Sequence, residues 1–223
     1  WNADHPGRRR FNPREEVRLQ LGAVLRRMTA DGTPPDVITF AGNGEPTLHP
    51  DFEAIIDDTL ALRDELCPSA RVSVLSNATK AKISVLSNAT MIGREEVREA
   101  LLKVDNNILK LDSAFDATVR RMNNPAGDYS VARTVELMKR FEGRMILQTM
   151  FLAGEIEGEP IDNTAEREVE AWLRLVEEIR PSKVMVYSLD RDTPCRTLRK
   201  IPREELQRIA ARVEALGIPC PVA

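Results

Sequence analysis

A chain of 223 residues with 42% hydrophobic and 30% charged side chains can bury one substantial core, and its net charge of −3 leaves no overall positive field to draw in nucleic acid. No apolar run reaches the roughly eighteen residues of a membrane span, and the polar, basic start has no apolar segment behind it as a signal peptide would. Cys67, Cys195 and Cys220 are odd in number and far apart, so they spell neither a disulfide framework nor a C-x-x-C metal motif and agree with a reducing cytoplasm.

In chain order, Arg8, Arg9 and Arg10 read as a solvated basic arm. Residues 2–31 then carry a helical stripe of Val17, Leu21, Val24, Leu25 and Met28. A short strand-like run, VITF at 37–40, comes next, and Phe52, Ile55, Ile56 and Leu60 give a helix behind Pro50 at its first position. At 72–93 the chain repeats itself: VSVLSNATKAK is followed at once by ISVLSNATMIG, an eleven-residue tandem duplication sharing SVLSNAT. One copy fits the strand slot between a helix ending near Leu66 and one beginning near Arg94. If the first copy is the strand, the extra residues enlarge a loop at its carboxyl end. If the second is, they precede it on the opposite face. Loop closure tolerates either, since doubling a loop costs about 0.6 kcal/mol.

Further strands are expected at 108–111, 145–152 and 184–187. Helices are expected at 131–138 behind Ser130, at 169–179 behind the cap candidate Thr164, and at 206–216 stopped by Gly217. Strand then helix, repeated about five times, predicts one α/β domain over 1–223 with a parallel sheet, closed as a barrel or open and doubly wound. Thr39, Lys110, Gln148 and Tyr187 interrupt apolar strands; each must find a partner or line a polar cavity, which a barrel interior supplies.

In such folds ligands sit at the carboxyl ends of the strands. There the sequence delivers Gly42, Asn43, Gly44, Glu45, Pro46 and Thr47; Ser76 and Asn77, or Ser87 and Asn88; Asp112 and Ser113; Gln148 and Thr149; and Ser188, Asp190 and Arg191. The glycines let backbone approach a ligand, and Glu45 is placed to meet a cationic group. A dinucleotide fingerprint is disfavoured, because its third glycine is Thr47 and prolines disturb the helix start. A plain turn is the competing reading.

The segment TFAGNGEPTLH resembles the GGE-type motif of radical S-adenosylmethionine enzymes, in the branch of wyosine-base synthase relatives and uncharacterised iron–sulfur oxidoreductases. SVLSNAT, NNILKLDSAF and ILQTMF are similar to that branch too, so the resemblance runs from Asn12 to Gly217. It implies a partial (β/α)6 TIM-like barrel with its first strand missing. Gly42, Asn43, Gly44 and Glu45 would receive the cofactor's ammonium group. Asn77 or Asn88, and Asp112 with Ser113, would contact cofactor or substrate. Lys110, Gln148 and Tyr187 would face the substrate, residues 184–189 would pass near the adenine, and His49 is either a family residue or a cap.

The implied cofactors are S-adenosylmethionine and a 4Fe–4S cluster, which together yield a 5′-deoxyadenosyl radical for hydrogen abstraction. The implied partners are an electron donor such as flavodoxin or ferredoxin and a substrate for which RNA is one candidate, with no membrane. The cluster-binding C-x3-C-x2-C is absent, so its ligands are expected upstream of Trp1 and the chain is expected to be an inactive fragment lacking that loop. Two other classes fit the residues: a cluster-less barrel serving as a binding or scaffold module, and a lyase using Lys110 as a Schiff-base nucleophile beside Asp112. Against the lyase, an acidic neighbour tends to hold a lysine protonated.

Overall fold

The computed structural model describes residues 11–41, 44–67, 81–125, 127–189 and 195–222. They divide into two compact units, one drawn from Asn2–Ser87 and Gly93–Asn107, the other from Asn88–Ile92 and Ile108–Ala223.

The amino-terminal unit contains α1 (Arg14–Ala30), β1 (Val37–Phe40), a 3-10 turn (Pro46–Leu48), α2 (Phe52–Leu66), β2 (Lys82–Ser87), α3 (Glu95–Lys103) and the start of β3 (Asn106–Lys110). β1 and β2 pair in parallel, from Val37 opposite Lys82 to Phe40 opposite Val85. The second repeat copy supplies β2; residues 72–80 of the first lie outside the described residues. Ile83, Ser84 and Val85 are consecutively buried, as a strand covered on both faces requires.

Phe52, Ile55, Ile56 and Leu62 form the buried stripe of α2, which packs against Leu25 of α1 through Leu62. Arg14 grips Asp58 bidentately, at 2.7 and 2.9 Å, and holds that carboxyl below its usual range. Val24, expected in the α1 stripe, is instead 42% exposed, because the buried face runs through Gly22 and Leu25. The expected helix at Pro50 starts two residues later, with Asp51 as its N-cap.

The carboxy-terminal unit holds the end of β3, α4 (Asp116–Asn123), α5 (Val131–Lys139), β4 (Ile146–Ile156), β5 (Glu159–Asp162), α6 (Glu166–Ile179), β6 (Lys183–Ser188), β7 (Arg199–Lys200) and α7 (Arg203–Glu214). The first half of β4 lies between β3 and β6, parallel to both, with Gln148 opposite Lys110 on one side and Met185 on the other. Its second half outruns the expected strand and pairs antiparallel with β5 and β7. β4 and β5 are joined by a two-residue turn, Glu157-Gly158, with both φ positive at 54° and 80°; this matches the right-handed twist of a hairpin.

Behind the strands, Trp172 of α6 stands edge-on to Phe151 of β4 at 5.4 Å. Val169, Val176, Ile209 and Val213 complete the layer. Ser130 caps α5 as expected, accepting from the Arg133 N–H at 3.4 Å. Thr164 does not cap α6: its hydroxyl and N–H both turn back to Asp162, leaving Ala165 at the N-cap. The fold is thus mixed α/β with parallel strands, as expected.

Ala89 follows β2 with φ +63° while 2% exposed. A left-handed alanine is strained, so Ala89→Gly is expected to raise stability by up to about 1 kcal/mol, read as a higher thermal midpoint. A lower midpoint would show that its methyl packing outweighs the strain.

Candidate cofactor and substrate site

In the amino-terminal unit β1 is followed by the Gly42–Glu45 segment, of which Gly42 and Asn43 lie outside the described residues. At Gly44 an added Cβ would meet no atom within 4 Å, so packing inside the chain does not demand glycine there. Glu45 is the N-cap of the 3-10 turn, with Pro46 in its first turn. The Glu45 carboxylate accepts from the Thr47 N–H at 3.2 Å and the Thr47 hydroxyl at 2.5 Å. Those bonds fix the orientation of the carboxylate.

His49 resolves as an anchor. Its Nδ1 accepts from the Asp51 N–H at 3.0 Å, which leaves Nε2 to donate to the Asn12 carbonyl at 2.9 Å, with Phe11 edge-on at 5.1 Å. The ring ties the strand exit to the residues just before α1.

Asn88, at the carboxyl end of β2, accepts from the Thr90 N–H at 3.0 Å and the Thr90 hydroxyl at 2.7 Å, a local turn that rotates the chain out of the strand. Asn77 lies outside the described residues, as do Asp190 and Arg191.

The carboxy-terminal unit contains the densest polar arrangement. The Asp112 side chain is fully inaccessible, and its oxygens meet the Lys110 ammonium at 2.9 Å, the Asn123 amide at 2.7 Å and the Met150 N–H at 2.8 Å. Lys110 also donates to Asn123 Oδ1 at 3.1 Å. Burial is the largest single influence on Lys110 and pushes its pKa down, but the charge and hydrogen bond of Asp112, together with Tyr187 and Tyr129, outweigh it and the net shift is up, so the amine stays an ammonium. Asn163 closes the arrangement from beneath. It donates to the carbonyls of Asp112 and Met150 at 2.9 and 2.8 Å and accepts from the Leu152 N–H at 2.8 Å. The ends of β3 and β4 are therefore locked together just where Lys110 is presented.

Ser113 is buried and donates to Glu168 at 2.6 Å; Thr118 donates to the other oxygen of the same carboxylate, also at 2.6 Å. Tyr187 lies on β6 opposite Met150, two residues beyond Met185 and so on the same strand face as Gln148 and Lys110. Burial raises the pKa of Tyr187 and of Tyr129 and keeps both phenols neutral.

Sequence reasoning missed Asn123, Asn163, Glu168 and Thr118. The first had a readable signal: Asn123-Asn124-Pro125 is a helix stop, and Asn124 takes the left-handed cap of α4 at φ 39°. The reach of Glu168 back to Ser113 is tertiary and left no local trace.

A 4Fe–4S cluster needs several thiolates converging on one point. Cys67 ends α2 and is buried; Cys195 sits against the Glu155 carbonyl at 3.3 Å; burial pushes the Cys220 thiol up to about 12, the opposite of a ready ligand. Among the described residues no three His, Cys, Asp or Glu side chains are grouped to hold a metal, so the cluster does not fit there. Among them also, no helix is long and apolar enough to cross a membrane.

No family model matches the chain. It is 26% identical over 209 residues to a UPF0026 protein of Synechocystis, covering 82% of this chain and 69% of that one. It is 29% identical over 153 residues to a UPF0026 protein of Methanocaldococcus jannaschii, covering 66% of this chain and 40% of that one. Among solved structures, a radical SAM methyltransferase from Sphaerobacter thermophilus aligns over 97% of this chain and 59% of its own, with TM-score 0.67 and 18% identity. SuiB of Streptococcus suis, solved bound to S-adenosylmethionine, aligns over 98% of this chain and 45% of its own, with TM-score 0.65 and 13% identity. The chain spans about half the length of these two structures, and along nearly all of its own length it has the fold of the radical S-adenosylmethionine enzymes.

Proposed function

We propose that this chain is the core of a radical S-adenosylmethionine enzyme, its parallel strands forming part of a (β/α)6 barrel. The observation that carries the reading is the carboxylate just beyond β1: Glu45, which Thr47 holds in a fixed orientation, in a chain of this fold. Residues Gly42 to Glu45 bind the α-ammonium group of S-adenosylmethionine. In the other unit, Asn88 and Ser113 contact cofactor or substrate, and Asp112 acts by holding Lys110 and the β3 end in place. Lys110, Gln148 and Tyr187 face the substrate. These residues bind and position; they supply no ligands for the cluster, and the electron donor would be a reduced flavodoxin or ferredoxin in the cytoplasm.

A Schiff-base lyase at Lys110 would need a neutral amine in the resting state, whereas Asp112 and Asn123 hold it as an ammonium. A binding or scaffold module keeps the same fold and differs in doing no chemistry on the cofactor.

Glu45→Gln, made in the cluster-loaded natural protein, is expected to weaken S-adenosylmethionine binding about tenfold or more by calorimetry, since one charge-assisted contact is lost, while cluster absorbance stays unchanged. Unchanged affinity defeats the assignment.

A further inference from the structure

Lys110, Gln148 and Tyr187 share one strand face, and each retains hydrogen-bonding capacity that the described residues do not use. An ammonium has three N–H donors. Two of those on Lys110 go to Asp112 Oδ2 and Asn123 Oδ1, and the side chain keeps 18% of its accessibility. Among the described residues neither the Gln148 amide nor the Tyr187 hydroxyl has a hydrogen-bond partner, although both are half-buried. Such a row of unspent polar groups calls for an occupant.

The sign of the row identifies what it takes. Among the described residues the anion against Lys110 is Asp112, whose side chain is inaccessible, so the open side carries a cationic N–H, a neutral phenol and an amide that offers an NH2 beside its carbonyl. All three can donate, and the ammonium can do nothing else. Met150 and Met185 lie on the same face and give the row apolar neighbours. A phosphate asks for bidentate arginine or a helix N-terminus, and β3, β4 and β6 contain no arginine.

We propose that Lys110, Gln148 and Tyr187 bind a carboxylate carried by the substrate. The inference deepens the reading of this strand face as the substrate side and rests on it. One carboxylate oxygen accepts from the remaining Lys110 N–H and the other from the Tyr187 hydroxyl, with Gln148 on the strand between those of Lys110 and Tyr187. A carboxylate rather than a neutral carbonyl is favoured because the third Lys110 N–H, left over after Asp112 and Asn123, makes its strongest hydrogen bond to a charged acceptor.

The test is ligand-observed NMR on the natural protein with succinate and, as its uncharged counterpart, succinamide. Succinate is expected to bind at least about tenfold more tightly than succinamide. Tyr187→Phe and Gln148→Met, which keep volume and the Lys110–Asp112 pair, are each expected to weaken succinate severalfold with the thermal midpoint unmoved. Equal affinity for the two probes, or succinate binding untouched by both variants, overturns the assignment. S-adenosylmethionine titrated on the same samples separates the two readings. No succinate binding with the cofactor still bound overturns the carboxylate site alone. Succinate binding that meets these expectations while the cofactor fails to bind supports the carboxylate site and overturns the cofactor reading.

Discussion

Asp112→Ala is expected to destabilise the protein by about 3–5 kcal/mol, because it strands a buried ammonium and leaves the Met150 N–H and the Asn123 amide without their acceptor. Denaturant titration reads the loss. Asp112→Asn keeps the shape and gives the sharper test, since it changes the sign of the pH dependence.

In the wild type the folded-state pKa of Lys110 is raised, so the contribution of the pair is fully present below the unfolded lysine value of about 10.4 and is lost as pH rises through the folded one. Tyr129 and Tyr187, also raised, act in the same direction, and stability should be flat near neutrality and fall above about pH 10. Without the Asp112 charge, burial is left to push Lys110 down. The unfolded chain then binds the extra proton, and stability at Asp112→Asn should rise with pH through the window in which the wild type is flat. A variant whose profile stays parallel to the wild type would show that Asp112 does not set the charge state of Lys110.

Gly154→Ala has the second largest expected effect, about 3 kcal/mol or more. The residue sits at φ +131°, and an added Cβ would overlap the Thr197 carbonyl oxygen and stand 2.9 Å from Leu198 Cα, both backbone atoms that cannot swing aside. The contact holds β7 against β4, assisted by the Thr197 hydroxyl donating to the Glu155 carbonyl at 2.6 Å. Amide exchange should accelerate along 152–155 and 197–200 well before the rest of the unit. Uniform protection across the unit would mean the strand pair adapts at little cost.

The two substitutions also show where sequence reading succeeds. Short apolar runs such as VITF and KVMVYS were legible as strands from their β-branched content, but the double coverage that an apolar run implies fails at VITF, where no residue is buried and Val37 is 48% exposed. The polar residues within them were legible as exceptions: Lys110, Gln148 and Tyr187 do share one face, and Asp112 does sit beside Lys110.

The antiparallel extension of β4 was not legible. Leu152 and Ile156 of β4 pack with Ile161 of β5 in a satellite cluster around Met122 and Met150, whose pairing is set by a tertiary contact rather than by period. The choice between repeat copies was hidden for a different reason. Identical residues carry identical propensity, and only the flanking sequence distinguishes them: Asp105 accepts from the Ile83 N–H at 2.7 Å and pairs with Arg63 at 3.0 Å, anchoring the start of the second copy.

Thr164 misled because the same hydroxyl serves either a helix cap or a turn onto Asp162, two residues before it, and the nearer acceptor takes it. Asp112 was read as a ligand-facing carboxylate. Its burial against three donors makes it instead the group that presents Lys110, a distinction that residue type and strand position do not carry.

The central claim is that this fold works on S-adenosylmethionine. Its most direct test is to incubate the natural protein, anaerobically cluster-loaded and reduced, with S-adenosylmethionine and to assay for 5′-deoxyadenosine. Release of 5′-deoxyadenosine that falls sharply in Glu45→Gln is the predicted result. Intact S-adenosylmethionine in the presence of a spectroscopically confirmed, reduced cluster would contradict the account and leave the chain a binding module in an enzyme's fold.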